Sequence, residues 1–256
     1  MEKTLLIVAA SASDGCAGAT LDAQVAGKFS LNPACAITAI TAQNTKGVAC
    51  VSPADAKTVR RQIDSAFSDL DIAGVKVGML WNAEIARGVA NALADWGALN
   101  VVFDPVMSAQ SDGKRMMEKD ALNAFRTVAA VSDLVTPNLD EAQALSGVKV
   151  RDQESACRSA WKIMETGAQA VMLKSYPLGK NALADIVITD EGLAMFKKKR
   201  LATSTHGGGC LLSTAIAARM ALGDELVDAV AAAEAYVEKA IEGARKVGSG
   251  IRCVAP

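Results

Sequence analysis

Histidine is almost missing from this sequence. His206 is the only one in 256 residues, and the six cysteines, at positions 16, 35, 50, 157, 210 and 253, form no CxxC pair. One imidazole and scattered thiols do not make the four close ligands of a structural zinc site. The cysteines are also too sparse for a disulfide framework, so a reduced, cytoplasmic protein is expected. Neither sign of charge is in excess, with 27 Lys and Arg against 28 Asp and Glu, and no polyanion partner is implied. The short KKKR cluster at 197–200 reads as a solvated strand or hairpin edge rather than a contact for nucleic acid. No apolar stretch is long enough to cross a bilayer, and no membrane partner is expected. The first apolar run, Leu5 to Ala10, is short and follows Glu2, which favours a buried strand over a signal peptide. The P-loop and the G-x-G-x-x-G fingerprint are absent as well. After the first run only Gly15 and Gly18 are present, so a Rossmann oxidoreductase is not expected and any nucleotide is held by another device.

What the sequence does have is apolar content, 51% of its residues, which is enough for a sizeable α/β core. Short β-rich runs begin near positions 5, 36, 76, 100, 134, 170 and 185. The central ones are apolar throughout, as strands covered on both faces should be. Amphipathic segments lie between them. Val59, Ile63 and Phe67 share one face of a helix for which Ser52 reads as the N-cap and Pro53 as the first-turn proline. Leu226, Val230, Ala233, Val237, Ile241 and Ala244 mark a long core-facing helix. The alternation runs without a linker, repeat or break in composition. It predicts a single domain over 1–256, built as a parallel sheet with helices on both faces. Ligands of such sheets bind beyond the carboxyl ends of the strands.

One stretch in the second half stands out chemically. THGGGC, from Thr205 to Cys210, precedes a helical run, CLLSTAIAARMAL. A helix N-terminus carries free N–H groups and partial positive charge, so Gly207, Gly208 and Gly209 would let an anion approach the backbone. Cys210 would sit in the first turn, where the same field lowers a thiol's pKa. A flexible turn beside a buried cysteine is the plainer alternative. Asn138 after Pro137 also has a plain reading, as a helix cap, and so does Lys174, as a solvated strand end. Met79 and Val106 read as core on pattern alone.

Taken in order, TAQNTKGV, KVGML, VVFDPVM, TPNLDEA and THGGGC resemble the hydroxymethylpyrimidine/phosphomethylpyrimidine kinases of thiamin biosynthesis. The likeness runs from about residue 5 to the GSGI segment that closes near residue 252. It implies a three-layer ribokinase-like α/β fold and transfer of the γ-phosphoryl group of ATP to a hydroxymethyl oxygen, with Mg²⁺ as the metal. By matched motif, Gly207, Gly208 and Gly209 with Cys210 form an anion hole, and Cys210 takes the place of the catalytic base. Lys174 and Thr205 fall at the ATP phosphates with Asn138. Glu141 and Asp104 serve the metal mostly through water. Gln43, Met79, Val106 and Gly15 fall around the pyrimidine. His206 is read as a structural bystander to the glycines. A homodimer is implied by the resemblance alone.

The amide of Gln43 offers a donor and an acceptor, which suits the amino group and ring nitrogen of an aminopyrimidine. That favours the pyrimidine over the pyridine ring of the vitamin B6 vitamers, whose kinases are the runner-up reading. Several positions depart from the family pattern. The loop usually read as GTDPSGGAG is ASASDGCAG here, with Ala12 for Asp and Ser13 for Pro. Gly208 stands for Thr in the anion hole, Ser175-Tyr176-Pro177 for GGH, and Gln110 for a lysine that could meet phosphate. These changes put a second phosphorylation in more doubt than the first and keep a non-catalytic sensor of pyrimidine or nucleotide as a further alternative.

Overall fold

The computed structural model describes residues 1–200 and 205–256. Nine strands form one sheet: β1 (Thr4–Ala12), β2 (Asn32–Asn44), β3 (Gly47–Pro53), β4 (Ile72–Val77), β5 (Val101–Phe103), β6 (Leu134–Val135), β7 (Ala170–Pro177), β8 (Ala182–Thr189) and β9 (Gly192–Lys199). Their spatial order is β3-β2-β1-β4-β5-β6-β7-β8-β9. The strands from β2 to β7 pair in parallel, while β3, β8 and β9 are antiparallel additions at the two edges. A separate parallel pair, β10 (Thr205–His206) with β11 (Arg252–Cys253), lies outside this sheet.

Alternation along β1 splits the core in two. Leu6 and Val8 pack with α2 (Ala56–Asp69), α3 (Ala83–Asp95), α4 (Ala121–Ala129), α5 (Leu139–Ser146) and α6 (Gln153–Met164). Leu5, Ile7 and Ala9 face α1 (Gly18–Lys28), α7 (Gly208–Leu222) and α8 (Leu226–Glu242). Successive strand residues point to opposite faces, so one apolar run feeds both layers. The result is the three-layer α/β arrangement with helices on both faces. The expected face of α8 is the observed one, with Val230, Ala233 and Val237 buried. No helix among the described residues is long and apolar enough to cross a membrane.

Three expectations need correcting. Ser52 and Pro53 do not start a helix; they end β3, an edge strand, where a proline's missing N–H costs no ladder bond. The cap of α2 is Asp55, whose Oδ1 accepts from Thr58 N at 3.0 Å. The cysteines are not all reduced, because Cys16 and Cys253 form a disulfide with their Cα atoms 5.7 Å apart. That pairing joins the loop after β1 to β11 across 237 residues, a separation at which spacing carries no signal. The KKKR cluster does lie at the β9 edge, but Lys198 is not simply solvated. Its Nζ donates to Asp185 Oδ2 at 2.6 Å and to Glu234 Oε2 at 3.2 Å, which pins β9 to α8.

Candidate active site

A cleft of about 1140 Å³ opens along the carboxyl ends of the parallel strands. Ala10, Gln43, Met79, Val106 and His206 line one end, and Lys198, Glu234 and the last turns of α8 line the other. Gly207, Gly208, Gly209 and Cys210 lie between them, with Asp104, Glu141 and Lys174 also on the wall.

The glycine turn forms because the chain must pass from β10 into α7 through a left-handed residue. Gly207 caps α7 with φ 90°, a conformation that favours glycine. A Cβ there would collide with the Cys16 carbonyl and approach Leu21 Cδ2 to 2.7 Å. Gly208 is different, since a Cβ there meets only Thr205 Oγ1, at 3.8 Å. At Gly209 a Cβ would stand 3.6 Å from Lys174 Nζ and 3.7 Å from Asp104 Oδ2. That space lies over an ion pair and at a helix N-terminus, so the bare backbone leaves it open to an anion.

Lys174 is not a free strand-end cation. Its Nζ donates to Asp104 Oδ1 at 2.6 Å, and Asp104 is almost completely buried. Asn138 and Glu141 make a reciprocal cap on α5: Asn138 Oδ1 accepts from Glu141 N at 2.9 Å, and Glu141 Oε2 accepts from Asn138 N at 2.8 Å. The plain helix-cap reading of Asn138 is therefore correct, and both residues also face the cleft. Burial pushes the Glu141 carboxyl up to about 7, against the pull of Lys174, and the Asp104 charge adds to the rise. Two crowded carboxylates beside a pocket fit a hard divalent cation held largely through its water, because such a cation needs only one or two protein oxygens. Among the described residues no cluster of three acidic, histidine or cysteine ligands exists.

Cys210 corrects the expected chemistry. The helix N-terminus does not dominate its acidity: burial pushes the thiol up to about 11, although Lys76 and the N–H of Gly18 work in the opposite direction. Lys76 is the site residue that the sequence reading missed. It lines the cleft, and its Nζ donates to Asp22 Oδ2 at 2.6 Å with neither side chain exposed. Asp22 Oδ1 in turn meets Thr214 Oγ1 at 2.8 Å, and Thr214 bonds the Cys210 carbonyl. A lysine inside an apolar strand run was the available signal, because a charge there requires a partner.

At the other end, Met79 and Val106 belong both to a small apolar cluster and to the cleft wall, so the two readings of them meet. Gly15 does not reach the cleft. It closes a turn, with φ 68° and its N–H on Ala12 O at 3.1 Å, and Ala12 and Gly18 line the wall instead. His206 packs beside the loop as expected, with its Nε2 2.7 Å from Gln43 Nε2 and 3.2 Å from Asp14 Oδ2, and it also lines the cleft. The amide of Gln43 is thus partly engaged by protein.

The family model described as phosphomethylpyrimidine kinase matches residues 12–255. A hydroxymethylpyrimidine/phosphomethylpyrimidine kinase of Rhizobium meliloti is 39% identical over 98% of this chain and 94% of its own. A crystal structure of phosphomethylpyrimidine kinase from Clostridium difficile is similar with TM-score 0.82 and 30% identity, covering 94% of this chain and 100% of that one. An ADP complex of Bacillus subtilis pyridoxal kinase is similar with TM-score 0.88 and 28% identity over 99% and 97%.

Proposed function

The chain belongs to the phosphomethylpyrimidine kinase family and is a phosphotransferase of thiamin biosynthesis, and we propose that the glycine turn and Cys210 carry its chemistry. ATP lies along the α8 end of the cleft, with its γ-phosphoryl group over Gly208 and Gly209. The pyrimidine lies at the Gln43 end, with its hydroxymethyl oxygen pointing at the same place. The N–H groups at the start of α7 and the Lys174 ammonium take up charge on the transferred group. The Cys210 thiolate receives the alcohol proton as the new O–P bond forms and the bond from the γ-phosphorus to the β–γ bridging oxygen breaks, releasing ADP. Because burial raises its thiol, this base works from a small thiolate population and gains with rising pH.

Magnesium fits Glu141 and Asp104 through water, and when bound it supplies charge neutralisation at the phosphates. A homodimer and a cytoplasmic location complete the proposal, and the whole chain is taken as one ribokinase-like domain. The observation that carries the reading is that one cavity holds the anion-binding turn, the thiol, the Lys174–Asp104 pair and Gln43 together. Likeness to a pyridoxal kinase at TM-score 0.88 keeps that ring as the second reading. The test is mass-spectrometric detection of products with Mg²⁺, ATP and, in separate tubes, hydroxymethylpyrimidine, its monophosphate and pyridoxal. A phosphorylated pyrimidine without pyridoxal phosphate supports the first reading. Pyridoxal phosphate alone replaces it with the second.

A further inference from the structure

The strand that carries Lys174 is interrupted at that residue. Between β7 and β8, Leu173 pairs with Ile186 and Tyr176 with Ala184, so Lys174 and Ser175 together stand opposite Asp185 alone. Two residues against one make a β-bulge, which bends its strand and re-aims a side chain. Leu173 and Tyr176 accordingly pack into the same core layer although they are three residues apart, where strict alternation would put them on opposite faces. The bulge contains a left-handed residue, Ser175, with φ 58°. Among the described residues Ser30, Asn100 and Ser175 are the non-glycine residues with positive φ, and of these Ser175 lines the cleft.

A serine in that conformation is held against its preference, and the side chain of Asp185 supplies the hold. Asp185 Oδ1 accepts from Ser175 N at 2.6 Å, and Oδ2 accepts from Lys198 Nζ at 2.6 Å. The carboxylate is completely buried and is fixed in turn, because Lys198 also bonds Glu234 of α8. Burial opposes the charge on Asp185, but contacts with Glu234, Lys198 and the Ser175 N–H hold its carboxyl below the ordinary value. On its other side the bulge is anchored through Lys174 N, which donates to Pro137 O at 2.9 Å. Between these two anchors the Lys174 side chain leaves the strand towards Asp104, and its Nζ stands 3.6 Å from where a Cβ on Gly209 would be.

We propose that Asp185 is a positioning residue which, by holding the Ser175 bulge, sets the Lys174 ammonium over the glycine turn where the γ-phosphate of ATP is bound. The proposal rests on the kinase reading given above. Asp185 does not hold the nucleotide itself: both its oxygens are taken by protein donors, and a carboxylate repels phosphate. It acts through Lys174, which stands at the glycine turn rather than at the α8 end of the cleft. Its effect therefore falls on the γ-phosphate and separates ATP from ADP. Ser175→Gly removes the need for the hold, since glycine takes a positive φ without steric cost.

The test measures nucleotide binding by calorimetry in Mg²⁺, with ADP and with an ATP analogue whose β–γ bridge resists hydrolysis. In Asp185→Ala the affinity for the analogue falls about tenfold and that for ADP stays within about twofold. In the Ser175→Gly background the same Asp185→Ala change costs the analogue less than about threefold, because the bulge no longer depends on the carboxylate. Should Asp185→Ala not fold, Asp185→Asn, which keeps an oxygen for the Ser175 N–H but not the charge, is read in its place. Its expected loss is about threefold for the analogue, again recovered by Ser175→Gly. No loss, equal losses for the two nucleotides, or a loss for the analogue that is the same in both backgrounds overturns the role of Asp185. A wild-type protein that binds neither nucleotide rejects the kinase reading, and the positioning claim with it.

Discussion

Lys76 Nζ and Asp22 Oδ2 meet at 2.6 Å beneath Cys210 with neither side chain exposed. Room for the ammonium comes from Gly78, where a Cβ would lie 2.7 Å from Nζ. Burial opposes the lysine's charge, but Asp22, Cys210 and Asp104 together raise its pKa, so it stays protonated. Removing one partner of such a pair strands the other charge in the interior. Lys76→Met is expected to cost about 3–5 kcal/mol in urea unfolding. The double variant Lys76→Met/Asp22→Leu is expected to lose less. Alkylation of Cys210 at fixed pH should slow in Lys76→Met, because a cation that lowers the thiol's pKa is gone.

The three glycines are expected to separate. Gly207→Ala forces a Cβ into the Cys16 carbonyl at φ 90° and should destabilise the fold by about 1–3 kcal/mol or more. Gly208→Ala makes only an ordinary van der Waals contact with Thr205 Oγ1 and should leave the thermal midpoint nearly unchanged. Thermal unfolding of both variants checks the contrast. Equal losses would mean that the turn is not built as described.

Stability should also depend on pH through Glu234. Burial raises its carboxyl to about 8, with the neighbouring Asp185 adding and Lys198 opposing. The folded state therefore keeps a proton that the unfolded chain releases above its ordinary value of 4.5. This contribution is fully present below that value and is lost as pH rises towards about 8. Glu141, raised to about 7, adds to the same slope. Melting temperatures measured across this range should fall with rising pH in the wild type, and less steeply in Glu234→Gln.

The parts of the fold that were legible in the sequence are those fixed by local chemistry. Apolar runs such as Leu5–Ala10 announced strands covered on both faces, and the glycines before CLLSTAIAARMAL announced the start of α7. The edge strand β3 was missed, because an exposed edge needs no continuous apolar run, while β9 was legible only through its KKKR end. The site residues were found by family motif more than by pattern. Asn138 shows the limit, since its local role as a cap was readable but its place on the cleft wall was not. Relationships across the fold left no local trace. Gln43 meets His206 from 163 residues away, Asp22 meets Thr214 from 192, and Cys16 meets Cys253 from 237. The acidity of Cys210 was misjudged for a related reason, because its burial depends on elements that pack only in the folded chain.

The central claim is that Cys210 takes the alcohol proton at the glycine turn. The direct test is the single-turnover rate of wild-type protein and Cys210→Ala from about pH 6 to about pH 9, beside nucleotide affinity. The wild-type rate should climb with pH as the thiolate population grows. Cys210→Ala should lose about 10²–10⁴ in rate together with that pH dependence, and bind nucleotide as before. A variant that turns over at the wild-type rate with the same pH profile would contradict the account.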